Sequence, residues 1–288
     1  MSECKFEYLH YIAKMIYKII YLCFIKIVMK KILANLLIII LISVFAVACG
    51  KKQQPMDLYD VIQQRGKIVV GVKDNVPPFS SKDKDGNYVG LEIDLAKKIA
   101  SKLLQDENAV EFIAVTPANR ISILNSGQAD MIIATMTINT SRLAMVDFTE
   151  PYYIAGQTVM VKKSSKIKSL YDFNAKKIGV VFGTTANEAI RTVAPAALVA
   201  GFKTYDEAVD ALKQGLVDGV AMDDTVLMGY KLKDSSLTSI SQKYSQEPYG
   251  IALRKGTEST RVLEILDGFI SNSKSNGEMN KLKAKWVK

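Results

Sequence analysis

The feature that most constrains the fold is a rapid alternation of strand-like and helix-like segments. KIVVGVK at 67–73 is a run typical of a buried strand, and LEIDLAKKIASKLL at 91–104 repeats apolar residues at helical spacing. VEFIAVT at 110–116 and ADMIIATM at 129–136 indicate two further strands, with the short helix ISILNSGQ between them. Strands and helices that alternate in short periods predict an α/β protein built around a sheet.

A second block of the same kind follows the aromatic, proline-containing stretch EPYYIAGQ at 150–157. It contains the strand-like runs TVMVKK, KKIGVVFG, ALVAGFK and DGVAMD, with helical patterns between and after them. Each block closes with a glutamine, an aspartate and an apolar strand, in GQADMIIAT and QGLVDGVAMD. YGIALRK at 249–255 then predicts one more strand before a helical tail to Lys288. Two similar α/β lobes are the economical interpretation.

Composition fits this interpretation and argues against a nucleic-acid partner. The chain has 288 residues, 49% hydrophobic and 23% charged, which suits two domains with their own cores. The formal charge of +9 falls to about +5 without residues 1–48, which carry six Lys and two Glu. The remaining charges are scattered and form no basic stripe with interleaved aromatic residues.

The cysteines and the histidine lie only in the first fifth of the chain. They are Cys4, Cys23, Cys49 and His10. If the leader is removed at Cys49, the mature chain keeps no histidine and a single terminal cysteine. This excludes Cys-His and Ser-His-Asp catalysis, disulfides, and zinc sites with His or several Cys ligands. We expect no cofactor and no metal.

The leader has the order of a secretion signal. MKK at 29–31 is a basic start, Ile32 to Val47 is an apolar run, and AVAC at 46–49 resembles a bacterial lipobox, although Ala46 stands where Leu is commonest. We therefore expect residues 1–48 to be removed, Cys49 to carry the lipid, and residues 49–65 to form the lipidated cysteine and a tether. Residues 1–28 lie upstream of Met29 as the expected true start. A single membrane-spanning anchor is the alternative.

Three stretches resemble the family 3 extracellular solute-binding proteins, the receptors of polar amino-acid ABC transporters. They are GLEIDLAKKIASKL at 90–103, TMTINTSRLAMVDFTEPYY at 135–153 and VDGVAMDDTVLMGY at 217–230. The resemblance implies a type II periplasmic-binding fold, in which two α/β lobes joined by two crossover strands close on a ligand. It places lobe 1 at 66–151 and 251–288, the crossovers at 152–156 and 248–250, and lobe 2 at 157–247. It also implies a monomer.

The polar segment after the strand at 129–136 is the first candidate site. Ligands bind at the carboxyl ends of strands in a parallel α/β sheet, so Thr135 and Thr137 should offer hydroxyl and backbone groups to a cleft. The guanidinium of Arg142 suits a carboxylate, and the resemblance implies that it clamps the ligand α-carboxylate. The alternative is a surface arginine paired with Asp147 or Glu150.

The second lobe supplies the other candidates. Thr184 and Thr185 stand at a helix start, where free N–H groups favour an anion and where an ordinary helix cap is the alternative. Asp223 ends the DGVAMD strand, and the resemblance makes it the expected partner of the ligand ammonium group. Simple helix capping by Asp223 is again the alternative.

Two further cations suggest the side chain of the ligand. Lys73 ends the first strand and Arg120 begins the ISIL helix, so both are expected on the lobe 1 wall of the cleft. Surplus positive charge there favours an acidic amino acid, aspartate or glutamate, as in the aspartate- and glutamate-binding members of the family, which the chain most resembles. If Asp74 neutralises Lys73, or if Arg120 pairs with Asp130 or Glu111, then glutamine, asparagine or cysteine becomes the expected ligand.

Two classes of function remain open at this point. The first is a non-catalytic receptor that closes on its amino acid and presents it to a membrane permease from outside the cytoplasm. The second is an enzyme on the same fold, such as a prephenate or arogenate dehydratase, with Asp74 and Asp223 as the available acids. An adhesin role is a weaker third reading.

Overall fold

The structure is a computed structural model of the chain that describes residues 3–48 and 56–287. The chain divides into two units, residues 1–54 and residues 55–288. The first unit contains one 46-residue helix, α1 (Glu3–Ala48). Cys49, the expected site of lipid attachment, lies outside the described residues. Neither described range holds a helix with both the length and the apolar character needed to cross a membrane.

The second unit alternates strands and helices as the sequence predicts. Its helices are α2 (Leu58–Arg65), α3 (Leu91–Leu104), α4 (Arg120–Asn125), α5 (Thr140–Leu143), α6 (Ala186–Val193), α7 (Tyr205–Gln214), α8 (Asp224–Lys233), α9 (Thr260–Ser275) and α10 (Glu278–Trp286). Its strands are β1 (Ile68–Val72), β2 (Asn75–Val76), β3 (Ser80–Lys82), β4 (Tyr88–Val89), β5 (Val110–Ala114), β6 (Met131–Ile132), β7 (Val146–Phe148), β8 (Tyr153–Ala155), β9 (Gln157–Lys162), β10 (Lys177–Val181), β11 (Leu198–Phe202), β12 (Gly219–Asp223), β13 (Leu237–Ser239), β14 (Glu247–Tyr249) and β15 (Ala252–Arg254).

Two five-stranded mixed sheets organise this unit. The first has the order β5-β1-β6-β15-β7, with β1 parallel to β5 and β6 and with β15 antiparallel to its neighbours. The second has the order β11-β10-β12-β9-β13, with β10 parallel to β11 and β12 and with β9 antiparallel to its neighbours. We call the parts around these sheets lobe 1 and lobe 2. The α/β class and the two lobes predicted from the sequence are confirmed.

A separate two-stranded antiparallel sheet joins β8 to β14. In this pair Tyr153 lies opposite Tyr249 and Ala155 opposite Glu247. These strands overlap the ranges expected for the crossovers, 152–156 and 248–250. The single strand expected at 249–255 is wrong, because the chain leaves β14 and joins the first sheet as β15. Between them, the Gly250 amide donates to the Met136 carbonyl at 3.1 Å.

The tether expected over 49–65 extends too far toward the folded body. Residues 58–65 form α2, in which Leu58 and Ile62 are buried in the core. The Asp57 carboxylate accepts from the Tyr59 amide at 2.7 Å and so caps the first turn. Apolar residues at positions i and i+4 share one helix face, which explains why this short helix packs instead of remaining in solvent.

The strand expected at 129–136 is also shorter than its apolar run. Only Met131 and Ile132 pair as β6, and the chain then turns through Thr135 with φ +42°. The Ile138 amide donates to the Pro248 carbonyl at 2.8 Å, which ties this segment to β14. The early end of β6 therefore directs residues 133–137 away from the sheet, at the carboxyl end where ligands bind in such folds.

Candidate functional site

Polar side chains and one glycine lie at the carboxyl ends of two pairs of parallel strands, one pair in each five-stranded sheet. Lys73 follows β1, Thr135 lies three residues after β6, Gly183 follows β10 by two residues, and Asp223 closes β12. Lys73 and Asp223 are only 3% and 8% exposed. We call the region between these strand ends the cleft. Ionisable groups buried this deeply are rare unless they are paired or functional.

Arg142 enters the cleft from α5. The Asn139 side chain accepts from the Arg142 amide at 2.9 Å and caps this single turn. The guanidinium donates to the Thr137 carbonyl at 2.6 Å and to the Gly183 carbonyl of lobe 2 at 3.0 Å. Burial lowers the pKa of Arg142.

The surface alternative for Arg142 does not hold. The side chain is only 6% exposed. Asp147 instead accepts from the Gly256 amide at 3.3 Å, and Glu150 pairs with Lys274 at 2.9 Å.

Arg120 lies beside Arg142. Its guanidinium donates to the Ala134 carbonyl at 2.8 Å and to Gly183 at 3.3 Å, so Gly183 receives both arginines. Burial, followed by the repulsion of Arg142, lowers the pKa of Arg120 to about 9.

The structural partners considered for Arg120 are engaged elsewhere. Asp130 pairs with Arg65, and Glu111 pairs with Lys67 at 2.5 Å. Arg120 therefore forms no ion pair with either carboxylate, and its buried Nε has no hydrogen-bond partner among the described residues.

Lys73 belongs to a buried cluster with Glu92, which sequence reasoning missed. The Lys73 ammonium donates to the Thr135 hydroxyl and lies 5.3 Å from the centre of the Tyr205 ring. The Glu92 Oε1 atom accepts from the Thr135 amide and from the Tyr152 hydroxyl, each at 2.6 Å. Burial lowers the pKa of Lys73 to about 7 and raises that of Glu92 to about 7.

Asp223 faces these cations from lobe 2. It lies at the N-cap of α8 but makes no side-chain capping bond, so the capping alternative does not hold. Its Oδ2 atom instead accepts from the Tyr249 hydroxyl at 2.5 Å, and Tyr249 also contacts the Thr225 hydroxyl at 2.7 Å. Burial raises the pKa of Asp223 to about 6, while the Tyr249 hydrogen bond opposes the shift.

Thr185 joins a second network on lobe 2. Gln157 donates to the Thr185 hydroxyl at 2.6 Å, and this hydroxyl donates to Glu247 at 2.9 Å. The Ser245 hydroxyl donates to the other Glu247 oxygen at 2.6 Å. Thr184 points back to its own turn, where its hydroxyl donates to the Val181 carbonyl at 2.7 Å.

The signals for the missed residues were weak. Glu92 stands within an amphipathic helix pattern, where an acidic residue is expected to face solvent. Gln157 directly follows the β8 crossover and Glu247 begins β14, so both lay at the margins of segments that the sequence marked only as connections. The one signal for Glu92 is its place between Leu91 and Ile93, two residues of the apolar face of α3.

The added carboxylates change the charge of the cleft. Asp130 pairs with Arg65 at the start of β6, away from the strand ends. The other buried charged side chains that the structure describes are three cations and three carboxylates: Lys73, Arg120, Arg142, Glu92, Asp223 and Glu247. The surplus positive charge on which an acidic ligand was expected is therefore absent from this set. No group of three or more His, Cys, Asp or Glu suited to a metal occurs in residues 3–48 and 56–287.

Comparisons with known proteins agree with this fold. Residues 68–288 match the family of bacterial extracellular solute-binding proteins, family 3. The chain is 37% identical over 270 residues to the ABC transporter glutamine-binding protein GlnH of Bacillus subtilis, covering 90% of this chain and 98% of that protein. It is 41% identical over 199 residues to the glutamine-binding protein of Geobacillus stearothermophilus, covering 68% of this chain and 76% of that protein.

A solved structure shows the same architecture. An ancestral arginine-binding protein bound to glutamine superposes with a TM-score of 0.71 at 39% identity, over 77% of this chain and 98% of that one. The chain belongs to the family 3 bacterial extracellular solute-binding proteins. It is an extracytoplasmic amino-acid-binding receptor of an ABC transporter, and it is not an enzyme.

Proposed function

We propose that this receptor binds L-glutamine. The observation that carries the proposal is the balance of buried charge in the cleft, where Lys73, Arg120 and Arg142 stand against Glu92, Asp223 and Glu247. A ligand with no net charge leaves that balance intact, whereas an acidic ligand adds a desolvated negative charge to it. The glutamine-binding relatives, at 37% and 41% identity, support the same choice.

The amino-acid backbone of the ligand lies between the lobes in this proposal. Arg142 receives the α-carboxylate, with the hydroxyl and backbone groups of Thr135 and Thr137 beside it. Asp223 receives the ammonium group, and Thr185 lines the lobe 2 side, whereas the hydroxyl of Thr184, the other expected residue, donates within its own turn. Lys73 and Arg120 line the wall that meets the side chain, where the oxygen of a neutral amide accepts from a cation.

Closure of the lobes transmits binding to the transporter. Residues 152–156 and 248–250 are the proposed hinge between lobe 1 (66–151 and 251–288) and lobe 2 (157–247). The ligand favours the closed form because only there do both lobes contact it. The closed monomer then delivers the amino acid to a membrane permease.

A thermal-shift screen of the twenty amino acids on residues 50–288 tests the specificity. Glutamine at about 100-fold above its dissociation constant should raise the free energy of unfolding by roughly 2.7 kcal/mol. Calorimetric competition at neutral pH should then rank glutamine above glutamate and aspartate. Tighter binding of either acidic amino acid would overturn the glutamine assignment and leave the receptor class intact.

We also propose that Cys49 is lipidated after removal of residues 1–48, with the shortened segment 49–57 as tether. The support is the order of basic start, apolar run and AVAC. Labelling of cells with a fatty-acid analogue should mark the wild type and not Cys49→Ser. Equal labelling of both proteins would refute the anchor.

A further inference from the structure

We propose that Glu92 is the positioning residue that sets the preference for a neutral side chain over an acidic one, acting through Lys73 and Thr135. The inference deepens the proposed function and rests on it. Glu92 lies in the second position of α3, behind the residues that line the cleft, and it is 0% exposed.

The geometry links Glu92 to Lys73 through a single residue. The Thr135 amide donates to Glu92 at 2.6 Å, while the Thr135 hydroxyl accepts from the Lys73 ammonium. Thr135 has φ +42°, a conformation that β-branched residues rarely adopt and that needs support from its surroundings. The Glu92 carboxylate supplies that support and, through it, fixes the hydroxyl that orients Lys73.

The second carboxylate oxygen of Glu92 indicates an electrostatic role as well. Oε1 is satisfied by Thr135 and by the Tyr152 hydroxyl at 2.6 Å. Oε2 is buried and has no hydrogen-bond partner among the described residues. A structural acceptor for two donors needs no ionisable second oxygen, since a glutamine side chain offers the same Oε1.

The carboxylate and Lys73 together form a pair of zero net charge. At the pH of 7.5 used below, one proton lies between the carboxylate and the amine, and the net charge is the same whichever group holds it. The pair therefore removes the attraction that an isolated lysine would exert on an acidic ligand. Loss of the Glu92 charge should therefore shift the preference toward glutamate, and loss of the Lys73 charge should shift it toward glutamine.

Glu92→Gln tests this directly, because it keeps the Oε1 acceptor and removes the charge. The dissociation constants of glutamate and glutamine are measured by calorimetry at pH 7.5 on residues 50–288. The ratio of the glutamate constant to the glutamine constant should fall by about tenfold in Glu92→Gln. It should rise in Lys73→Gln, and it should return to within about threefold of the wild-type ratio in the double variant.

The exposed Glu111 provides the matched control, since Glu111→Gln removes a glutamate charge outside the cleft and should leave the ratio unchanged. A merely structural role for Glu92 predicts equal losses for both ligands and no restoration in the double variant, and that result would overturn the inference. If Glu92→Gln does not fold, Lys73→Gln decides, because an unchanged ratio there would equally overturn it.

The two proposals fail separately. If the wild type does not bind glutamine, the proposed ligand is wrong. The inference is then decided by glutamate affinity alone, which must rise in Glu92→Gln and fall in Lys73→Gln for it to stand. Any other pattern of glutamate affinity overturns the role of Glu92. Conversely, if the wild type binds glutamine but the variants do not shift the ratio as expected, only the role of Glu92 is wrong.

Discussion

Lobe 1 and lobe 2 share one sheet plan but bring side chains of opposite charge to the cleft. In each lobe three parallel strands, β5-β1-β6 or β11-β10-β12, stand beside one antiparallel strand, β15 or β9, and an outer strand, β7 or β13, completes the sheet. The cations Lys73, Arg120 and Arg142 all belong to lobe 1, whereas Asp223 closes a strand of lobe 2. The fold fixes where strand ends lie, and the residue types placed there decide what each lobe binds.

This difference explains why a zwitterion suits the cleft. In the proposed binding mode, the carboxylate of the amino acid is attracted to the arginines of lobe 1, and its ammonium group to Asp223 of lobe 2. Neither lobe supplies both partners. Lobe 1 does contain one buried carboxylate, that of Glu92. It lies behind Thr135 instead of lining the wall, and from there it offsets the charge of Lys73.

The largest expected effect comes from removing the charged side chain with which one lobe is proposed to bind the ligand. Arg142→Ala and Asp223→Ala should each weaken glutamine binding by about 2 to 5 kcal/mol, because each leaves a ligand charge buried without its partner. Calorimetry measures the loss. Exposed residues on neighbouring helices give matched controls, Arg191→Ala on α6 and Asp210→Ala on α7, and these should bind as the wild type does. Near-wild-type affinity in either cleft variant would contradict its role in the clamp.

The buried acid of lobe 1 should also make stability depend on pH. The folded pKa of Glu92 is about 7, against 4.5 in a free side chain, with burial as the main cause. The folded protein therefore holds a proton that the unfolded chain releases between those values. The contribution of Glu92 to the free energy of unfolding is present at low pH and is lost as pH rises toward 7.

Glu92→Gln removes that titration, so between pH 5 and 6.5 its free energy of unfolding should rise by about 1.5 to 2 kcal/mol relative to that of the wild type. The other ionisable groups that face Glu92 are Lys73, Arg120 and Tyr152, and because the pKa of Lys73 is also about 7, the comparison ends at pH 6.5, below the titration of Lys73. Urea unfolding without ligand measures the difference. Lys67 lowers the pKa of Glu111, so Glu111→Gln should show a flat difference across the same range. A flat difference for Glu92→Gln would show that its carboxylate does not titrate there.

How far the sequence reaches differs between backbone and side chains. Continuous apolar runs predict β1, β10 and β12, which are buried on both faces, and apolar residues at helical spacing predict α3. The rule that ligands meet the carboxyl ends of parallel strands then brings Lys73 and Asp223 to one cleft. Both steps depend on local pattern, which a single chain displays.

Side-chain partners depend on contacts that local pattern does not contain. The alternative that paired Arg120 with Asp130 or Glu111 does not hold, since both carboxylates have other partners and Arg120 instead reaches Gly183, 63 residues away. Glu92 and Thr135 are 43 residues apart and meet only because α3 packs beside the end of β6. The charge balance of the cleft, and with it the expected ligand, changed once such long-range pairs were known.

A smaller effect is expected where lobe 2 presents backbone instead of charge. Gly183 has φ +77°, and a Cβ built there would collide with the Pro117 carbonyl of lobe 1 and lie 2.7 Å from the Ala118 amide nitrogen. Gly183→Ala should weaken binding by about 1 to 2 kcal/mol, because the clash arises where the lobes meet. Gly277 has φ +79° and open space around its Cβ position, so Gly277→Ala carries the strain without the clash. Equal affinities of the two variants would contradict the interlobe contact.

The smallest expected effect comes from a change that loosens the position of Arg142 without removing its charge. Asn139 caps α5 by accepting from the Arg142 amide at 2.9 Å, and Thr204 caps α7 by accepting from the Glu207 amide at 3.1 Å. Asn139→Ala and Thr204→Ala should each lower the free energy of unfolding by about 1 kcal/mol, as the loss of a helix cap does.

Only Asn139→Ala should also weaken glutamine binding, by about threefold, because it loosens the turn that aims the guanidinium at the cleft while leaving its charge in place. Asn139→Ser keeps a capping oxygen and should recover most of that affinity. Urea unfolding and calorimetry on the same four proteins, the wild type included, give both quantities. If Asn139→Ala and Thr204→Ala lose stability alike and both bind as the wild type does, Arg142 is held by its carbonyl partners Thr137 and Gly183, and the cap contributes nothing to its position.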